Sequence, residues 1–406
     1  MATLIDEIKY QFYKRVVYYL VWRKFYMRQF TKYLTKEPPS KTILLIRPDH
    51  IGDFVLWLDQ AKEYRKAFPE HRIVLLCNPG VAEIARNIPY FDEVLLIVEG
   101  RTRDKRYMYE LLQQVNRYYY DKVIYPPYGR AVEHGDWIVH NTRANEKIAF
   151  EYSEGAARHI TRIPSGNKKK LVRQLDSWYT MIVHGKEDVL MELERNAEFG
   201  NQVLPHTYTP YLPSFPFDVP EVNLIPFSQY AIFVLGASIP KRRWPVQKFA
   251  AVARHIFPLP IVLCGSEQES YLVDEFVSLV GHENEKYIFS IVGKTSVMEL
   301  ISVIKYATLV VGNDTGTAHI AVATRTPSVC LLGGGHYGRF FPYRVDNIRE
   351  EDKRSLPHVV TIRDRGCFGC DLFCKYPLVH DCWPCCYNIE VDDVLCAVDS
   401  ILSGRS

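Results

Sequence analysis

Apolar residues along the chain come in short, dense runs separated by stretches with helical spacing. Thr42–Ile46, Arg72–Cys77, Glu93–Ile97 and Lys122–Tyr125 are such runs, and Phe54–Phe68, with Pro69 beyond it, carries its apolar positions at helical intervals. Runs that do not alternate apolar with polar suit strands covered on both faces, and their alternation with helices predicts an open, mostly parallel sheet. The pattern pauses over about 128–215, which reads as polar and irregular, with Lys168–Lys170 as a solvated face. Prolines at 205, 210, 213, 216, 220 and 226 then mark an interdomain linker. Beyond it the alternation restarts with strands Tyr230–Leu235, Pro260–Cys264, Ile288–Val292, Ala307–Gly312 and Ser328–Leu332, and with helices Val246–Ile256 and Val297–Tyr306 between them. A closing helix, Val391–Leu402, is expected to pack back on the first half.

A chain of 406 residues exceeds one ordinary core, so two domains follow, at 40–215 and 228–390, framed by a leading segment 1–36 and the closing helix 391–402. The formal net charge of +3 conceals an asymmetry. Residues 1–36 hold eight Lys/Arg against Asp6 and Glu7, which leaves the rest of the chain near −3. The body is therefore no general polyanion binder, and no nucleic-acid partner is expected. The leading segment mixes Lys14, Arg15, Arg23, Lys24, Arg28 and Lys32 with Phe12, Tyr18, Trp22, Phe25, Tyr26, Phe30 and Tyr33. As a basic amphipathic helix it suits an anionic membrane interface; its plain alternative is a helix packed on the protein's own surface. No segment is long enough to span a bilayer, and the start lacks a secretory cleavage pattern. These features suit a chain that lies on an anionic membrane surface without crossing it.

Candidate chemistry centres on Asn313-Asp314-Thr315-Gly316-Thr317-Ala318-His319, which lies between a strand and a helical start. Strand, glycine turn, helix and strand make one βαβ unit, and its turn lies where such sheets bind ligands. Free N–H groups at the helix start would face a phosphate, with Thr315 and Thr317 adding hydroxyls. The same residues would also serve as an ordinary helix cap.

Four blocks, in order, resemble glycosyltransferase family 9, the bacterial heptosyltransferases. They are Ile46-Arg47-Pro48-Asp49-His50-Ile51-Gly52-Asp53; Gly236-Ala237-Ser238 with Lys241-Arg242-Arg243-Trp244-Pro245; Gly265-Ser266-Glu267; and Gly293-Lys294-Thr295 through Asp314-Thr315-Gly316 and His319 to Thr326-Pro327. The resemblance implies a GT-B fold, two Rossmann-like doubly wound domains facing across a cleft. It also implies inverting transfer, without a catalytic cofactor, of a heptose from a nucleotide sugar, ADP-heptose foremost, to a lipopolysaccharide core or other lipid-linked glycan. The same resemblance implies a cytoplasmic place, peripheral on the inner membrane. In that reading Asp53, after Gly52, is the general base that takes the proton from the acceptor hydroxyl; a plain N-terminal Asp favoured by the helix dipole is the alternative. Ser238, Lys241, Arg242, Thr315 and Gly316 would hold the diphosphate, and Thr295 and Gly52 would bind substrate. Glu267, or Glu269 in its place, would face the nucleoside, Asp314 the sugar hydroxyls, and His319 would line the pocket. The family's lysine lies two places before the Trp, where this chain has Arg242, with Lys241 one earlier. No Asp-x-Asp metal motif stands beside a strand. A protein-directed, autotransporter-type heptosyltransferase and an epimerase of the same architecture are the alternatives.

Six of the ten cysteines crowd between 367 and 386, including Cys367-x-x-Cys370 and Cys382-x-x-Cys385. Paired Cys-x-x-Cys elements suit a tetrahedral site, so Cys367, Cys370, Cys382 and Cys385 are expected to hold a structural zinc or iron.

Overall fold

The computed structural model describes residues 23–152, 168–346, 348–353, 355–362 and 366–404. They group into two compact units. The first takes the described residues up to Asp49, those of Glu63–Glu187, and Glu198–Tyr208. The second takes His50–Lys62, Asp188–Ala197 and those from Thr209 onward.

The first unit is built on one parallel sheet of β1 (Thr42–Arg47), β2 (Arg72–Cys77), β3 (Glu93–Leu96), β4 (Tyr120–Tyr125), β5 (Ala144–Phe150) and β6 (Met181–Val183). Its strand order is β3-β2-β1-β4-β5-β6, the doubly wound arrangement. All six residues of β1 are buried, which explains a run with no polar alternation. Helices α1 (Ile51–Ala67), α2 (Ala82–Asn87), α3 (Lys105–Val115), α4 (Lys168–Asp176) and α5 (Glu192–Val203) connect or follow the strands. The stretch expected to be irregular thus holds β5, α4, β6 and α5. Its order rests partly on a buried polar knot. The Arg130 guanidinium binds Asp136 and Asp176, each at 2.7 Å, and the Tyr152 and Tyr179 hydroxyls donate to Asp136.

Of the leading segment, residues 1–22 lie outside the described residues. The described part corrects the expectation that its rings face a membrane. Phe25 stacks on Trp137 with centroids 5.4 Å apart, Tyr33 stacks on Tyr109 at 5.1 Å, and Tyr26 and Phe30 are buried in the core. The Tyr26 hydroxyl also donates to the Thr102 carbonyl at 2.7 Å. Burying these rings against other aromatics is worth more than leaving them at an interface. The neighbouring cations stay exposed.

The second unit repeats the architecture with β7 (Ala231–Val234), β8 (Ile261–Leu263), β9 (Ile288–Ser290), β10 (Leu309–Asn313), β11 (Ser328–Leu331) and β12 (His358–Val360), again all parallel. Its order is β12-β11-β10-β7-β8-β9, so the winding reverses between β7 and β10. Helices α6 (Val246–Ile256), α7 (Ser270–Val280), α8 (Val297–Lys305) and α9 (Gly316–Thr324) alternate with the strands. The closing helix α10 (Val391–Leu402) belongs to this unit: Val394, Ala397 and Val398 join its core with residues of β7, β8 and α6.

Candidate functional site

In a doubly wound sheet the ends of the two strands flanking the reversal splay apart and leave a crevice at their carboxyl ends. Here those ends are Val234–Ala237 after β7 and Asn313–Gly316 after β10. Asn313, 1 % exposed, pins them together. Its side-chain N–H groups donate to the carbonyls of Leu235 and Gly236, both at 3.0 Å. Its side-chain oxygen accepts the backbone N–H of Trp244 at 2.8 Å. One amide thereby fixes the β7 turn and the end of the basic loop, a role the sequence reading did not give it.

The basic loop contains a 3-10 turn, Pro240–Arg242. The Arg242 guanidinium forms an ion pair with the Asp314 carboxylate and donates to the Asp314 carbonyl at 2.7 Å. Both partners are largely buried. Arg242 thus anchors the β10 turn, and the Asp314 carboxylate is turned to it. Arg243 reaches the Ala237 carbonyl at 3.3 Å, the Glu269 carboxylate at 3.6 Å and the Tyr271 hydroxyl. Lys241 stands exposed at the head of the turn. Ser238 and Glu267 are exposed near the same strand ends, and Thr295 is half-buried in the turn before α8. Glu269 is spoken for. It accepts the Ser266 N–H and hydroxyl, both at 2.9 Å, and a Cβ on Gly236 would land on its carboxylate. Of the two acidic alternatives, Glu267 is the one left facing solvent.

Thr315 caps α9 in extended geometry, yet its hydroxyl makes no cap hydrogen bond and is buried without a partner among the described residues. A buried polar atom left unsatisfied costs free energy, so its retention at a helix N-terminus points to a ligand acceptor. The N-terminus of α1 abuts that of α9. A Cβ on Gly316 would lie 3.1 Å from the Gly52 nitrogen, and one on Gly52 would lie 2.9 Å from the His319 ring. His319 is 3 % exposed. It stacks on Phe341 at 4.5 Å and shares a hydrogen bond with Tyr343 at 2.8 Å. Burial pushes its pKa down to about 4, against the pull of Asp314 and Glu192. His319 is thus held neutral and packed behind the helix start.

Asp53 sits half-buried in the first turn of α1, where the helix dipole favours its negative charge. Burial works against the charge of Arg339, but the carboxylates of Glu192, Asp53 and Asp371 outweigh it and raise its pKa. Nothing in the sequence around Arg339 had marked it.

The cysteines do not assemble as expected. The Cys382 thiol donates to the Arg243 carbonyl at 3.0 Å, while Cys367, Cys370, Cys374 and Cys385 line a cavity of about 540 Å³ that Cys382 does not reach. Among the described residues no three His, Cys, Asp or Glu side chains are grouped to hold a metal. A hydrogen bond from Cys386 pulls the Cys385 thiol down to about 6 against the cost of burial, helped by the backbone N–H of Gly334.

Residues 173–356 match the model of glycosyltransferase family 9 (heptosyltransferase). Lipooligosaccharide heptosyltransferase 2 of Haemophilus influenzae is 31 % identical over 104 residues, covering 25 % of this chain and 30 % of that protein. The stretch matched is thus less than a third of that relative's length. In fold, the likeness is longer. The structure of Escherichia coli ADP-heptose LPS heptosyltransferase II superposes with a TM-score of 0.63 at 17 % identity, over 90 % of this chain and 99 % of that one. A family 9 glycosyltransferase from Veillonella parvula gives 0.63 at 16 %, over 91 % and 99 %. Over residues 173–356 this chain is similar in sequence to the glycosyltransferase family 9 heptosyltransferases, and over nine-tenths of its length its two-Rossmann GT-B fold is similar to theirs.

Proposed function

We propose that this protein is an inverting glycosyltransferase that moves a heptose from ADP-heptose to a lipopolysaccharide core or related lipid-linked glycan. The observation that carries the reading is the Thr315 hydroxyl, buried without a partner among the described residues at the N-terminus of α9, where the winding of the sheet reverses. That hydroxyl and the first N–H groups of α9 offer donors to a diphosphate, and the exposed Lys241 offers a cation. Positive groups fixed there stabilise the charge that grows on the leaving nucleoside diphosphate. The acceptor oxygen attacks the anomeric carbon as the carbon–phosphate-oxygen bond breaks, the bonding pair leaves with the phosphate, and Asp53 takes the acceptor proton. A single displacement of this kind inverts the anomeric centre. The sequence has no Asp-x-Asp motif beside a strand, so these groups take the part that a divalent cation plays elsewhere.

The acceptor is lipid-linked, so the enzyme works at the cytoplasmic face of the inner membrane. Arg23, Lys24 and Arg28 support this: they line a shallow groove with Met27 and Gln174, and their charged ends are open to solvent. Anionic lipid would meet these cations rather than the aromatic rings.

Incubation with labelled nucleotide sugars and a lipid-linked glycan tests the proposal. Label should pass from ADP-heptose to the glycan with inverted configuration. Isomerised donor, or label on protein alone, would refute it.

A further inference from the structure

The cysteine-rich segment grips the basic loop at two points. The backbone N–H of Trp383 donates to the Lys241 carbonyl at 2.9 Å, and the Cys382 thiol donates to the Arg243 carbonyl at 3.0 Å. These bonds straddle Arg242, which is itself fixed on Asp314. The same segment continues into two further ties. The Trp244 indole donates to the Ile389 carbonyl at 3.0 Å, and the Lys248 ammonium reaches the carbonyls of Tyr387 and Ile389 at 2.7 and 2.8 Å. At its other end it is fastened to the loop after β11, where Gly369 and Asp371 donate to the carbonyls of Gly334 and Gly335 at 2.9 and 3.0 Å. Gly334 and Gly335 have no room for a side chain, because Phe368 and Leu372 lie against them. The segment is thus a strap across the loops that leave β7 and β11 at one end of the sheet.

Within that strap Cys382 is the residue whose side chain holds the basic loop. Pro240–Arg242 is a single 3-10 turn, and such a turn has little rigidity of its own. We propose that Cys382 is a positioning residue of the donor site: its thiol fixes the main chain at Arg243, and so the height at which Lys241 meets the diphosphate. This rests on the reading of Lys241 as a diphosphate ligand.

The test compares Cys382→Val, which removes the donor, with Cys382→Ser, which keeps one. With ADP-heptose as donor, Cys382→Val should raise KM roughly three- to tenfold with kcat within about twofold, the scale of one hydrogen bond. Cys382→Ser should stay within about twofold of wild type in both. Alkylation of the wild-type protein by iodoacetamide, read site by site by mass spectrometry, gives a measurement free of folding effects. ADP should slow modification of Cys382 and leave that of Cys396, exposed on α10, unchanged. Equal KM in all three proteins, or a rate at Cys382 indifferent to ADP that the wild type demonstrably binds, overturns the inference. If the wild type binds no ADP at all, the proposed function falls first and takes this inference with it.

Discussion

Gly52 and Gly316 meet backbone to backbone, so the starts of α1 and α9 touch with no side chain between them. A Cβ on Gly316 would come within 3.1 Å of the Gly52 nitrogen and 3.2 Å of the Ile51 Cβ. Two helix N-termini brought this close set the positive ends of two helix dipoles side by side, an arrangement that favours an anion. Alanine at either position should cost about 1–3 kcal/mol of stability, the usual penalty of overpacking. The His319 ring cannot swing away from Gly52→Ala, because Phe341 and Tyr343 hold it. Thermal melting of both variants checks this; unchanged melting would mean that the helix starts are not in contact.

Thr315→Val separates a cap from a ligand group. Its hydroxyl has no partner among the described residues, so the isosteric change should leave stability unchanged or slightly raised. Donor affinity should fall by about tenfold or more, because a hydroxyl facing a charged phosphate is worth about 1.5–3 kcal/mol. Calorimetric titration with ADP alongside melting curves reads both. A loss of stability without a loss of affinity would return Thr315 to an ordinary cap.

Lys241 and Arg242 should part company. Lys241→Ala is expected to weaken donor binding about tenfold or more at constant melting temperature. Arg242→Ala breaks a largely buried pair and leaves Asp314 without its cation, so it should cost up to about 3 kcal/mol of stability. A double-mutant cycle with Asp314→Ala should show strong non-additivity for Arg242 and none for Lys241.

The sequence revealed the sheets because their strands are buried on both faces and so read as unbroken apolar runs. β5 escaped because its first half, Ala144–Lys147, is only partly buried and keeps its polar residues, while Ile148–Phe150 is fully covered. The Arg130 knot escaped for a different reason: its partners lie 6 and 46 residues away, and spacing carries no sign of such pairing. At the site, the glycines and Thr315 were legible because helix starts have a local grammar. Which of Lys241, Arg242 and Arg243 faces outward was not, since that depends on Asp314 and Glu269 arriving from other strand ends. The partner of Cys382 was hidden for the same reason. Its spacing to Cys385 suits a metal, but the nearby Arg243 carbonyl takes its thiol.

His319 predicts a pH dependence. Its pKa is about 4 in the fold against the ordinary 6.5 of a solvated histidine, so between those values the unfolded chain takes up a proton that the folded one refuses. The stabilisation is complete above about pH 6.5 and is lost as pH falls toward 4, on the order of 3 kcal/mol in all. His319→Phe, which keeps the stack on Phe341, should flatten the decline of melting temperature over that interval. An identical decline in both proteins would show that His319 is not held neutral.

The central claim is that an activated sugar is gripped by its diphosphate while Asp53 accepts the acceptor's proton, and Asp53→Asn tests it most directly. Rapid-mixing single-turnover assays with ADP-heptose and a lipid-linked acceptor, paired with donor titrations, measure chemistry and binding separately. Transfer should slow by about 10²–10⁴-fold with donor affinity within about threefold of wild type. Transfer at the wild-type rate, or binding and transfer lost together, would contradict it.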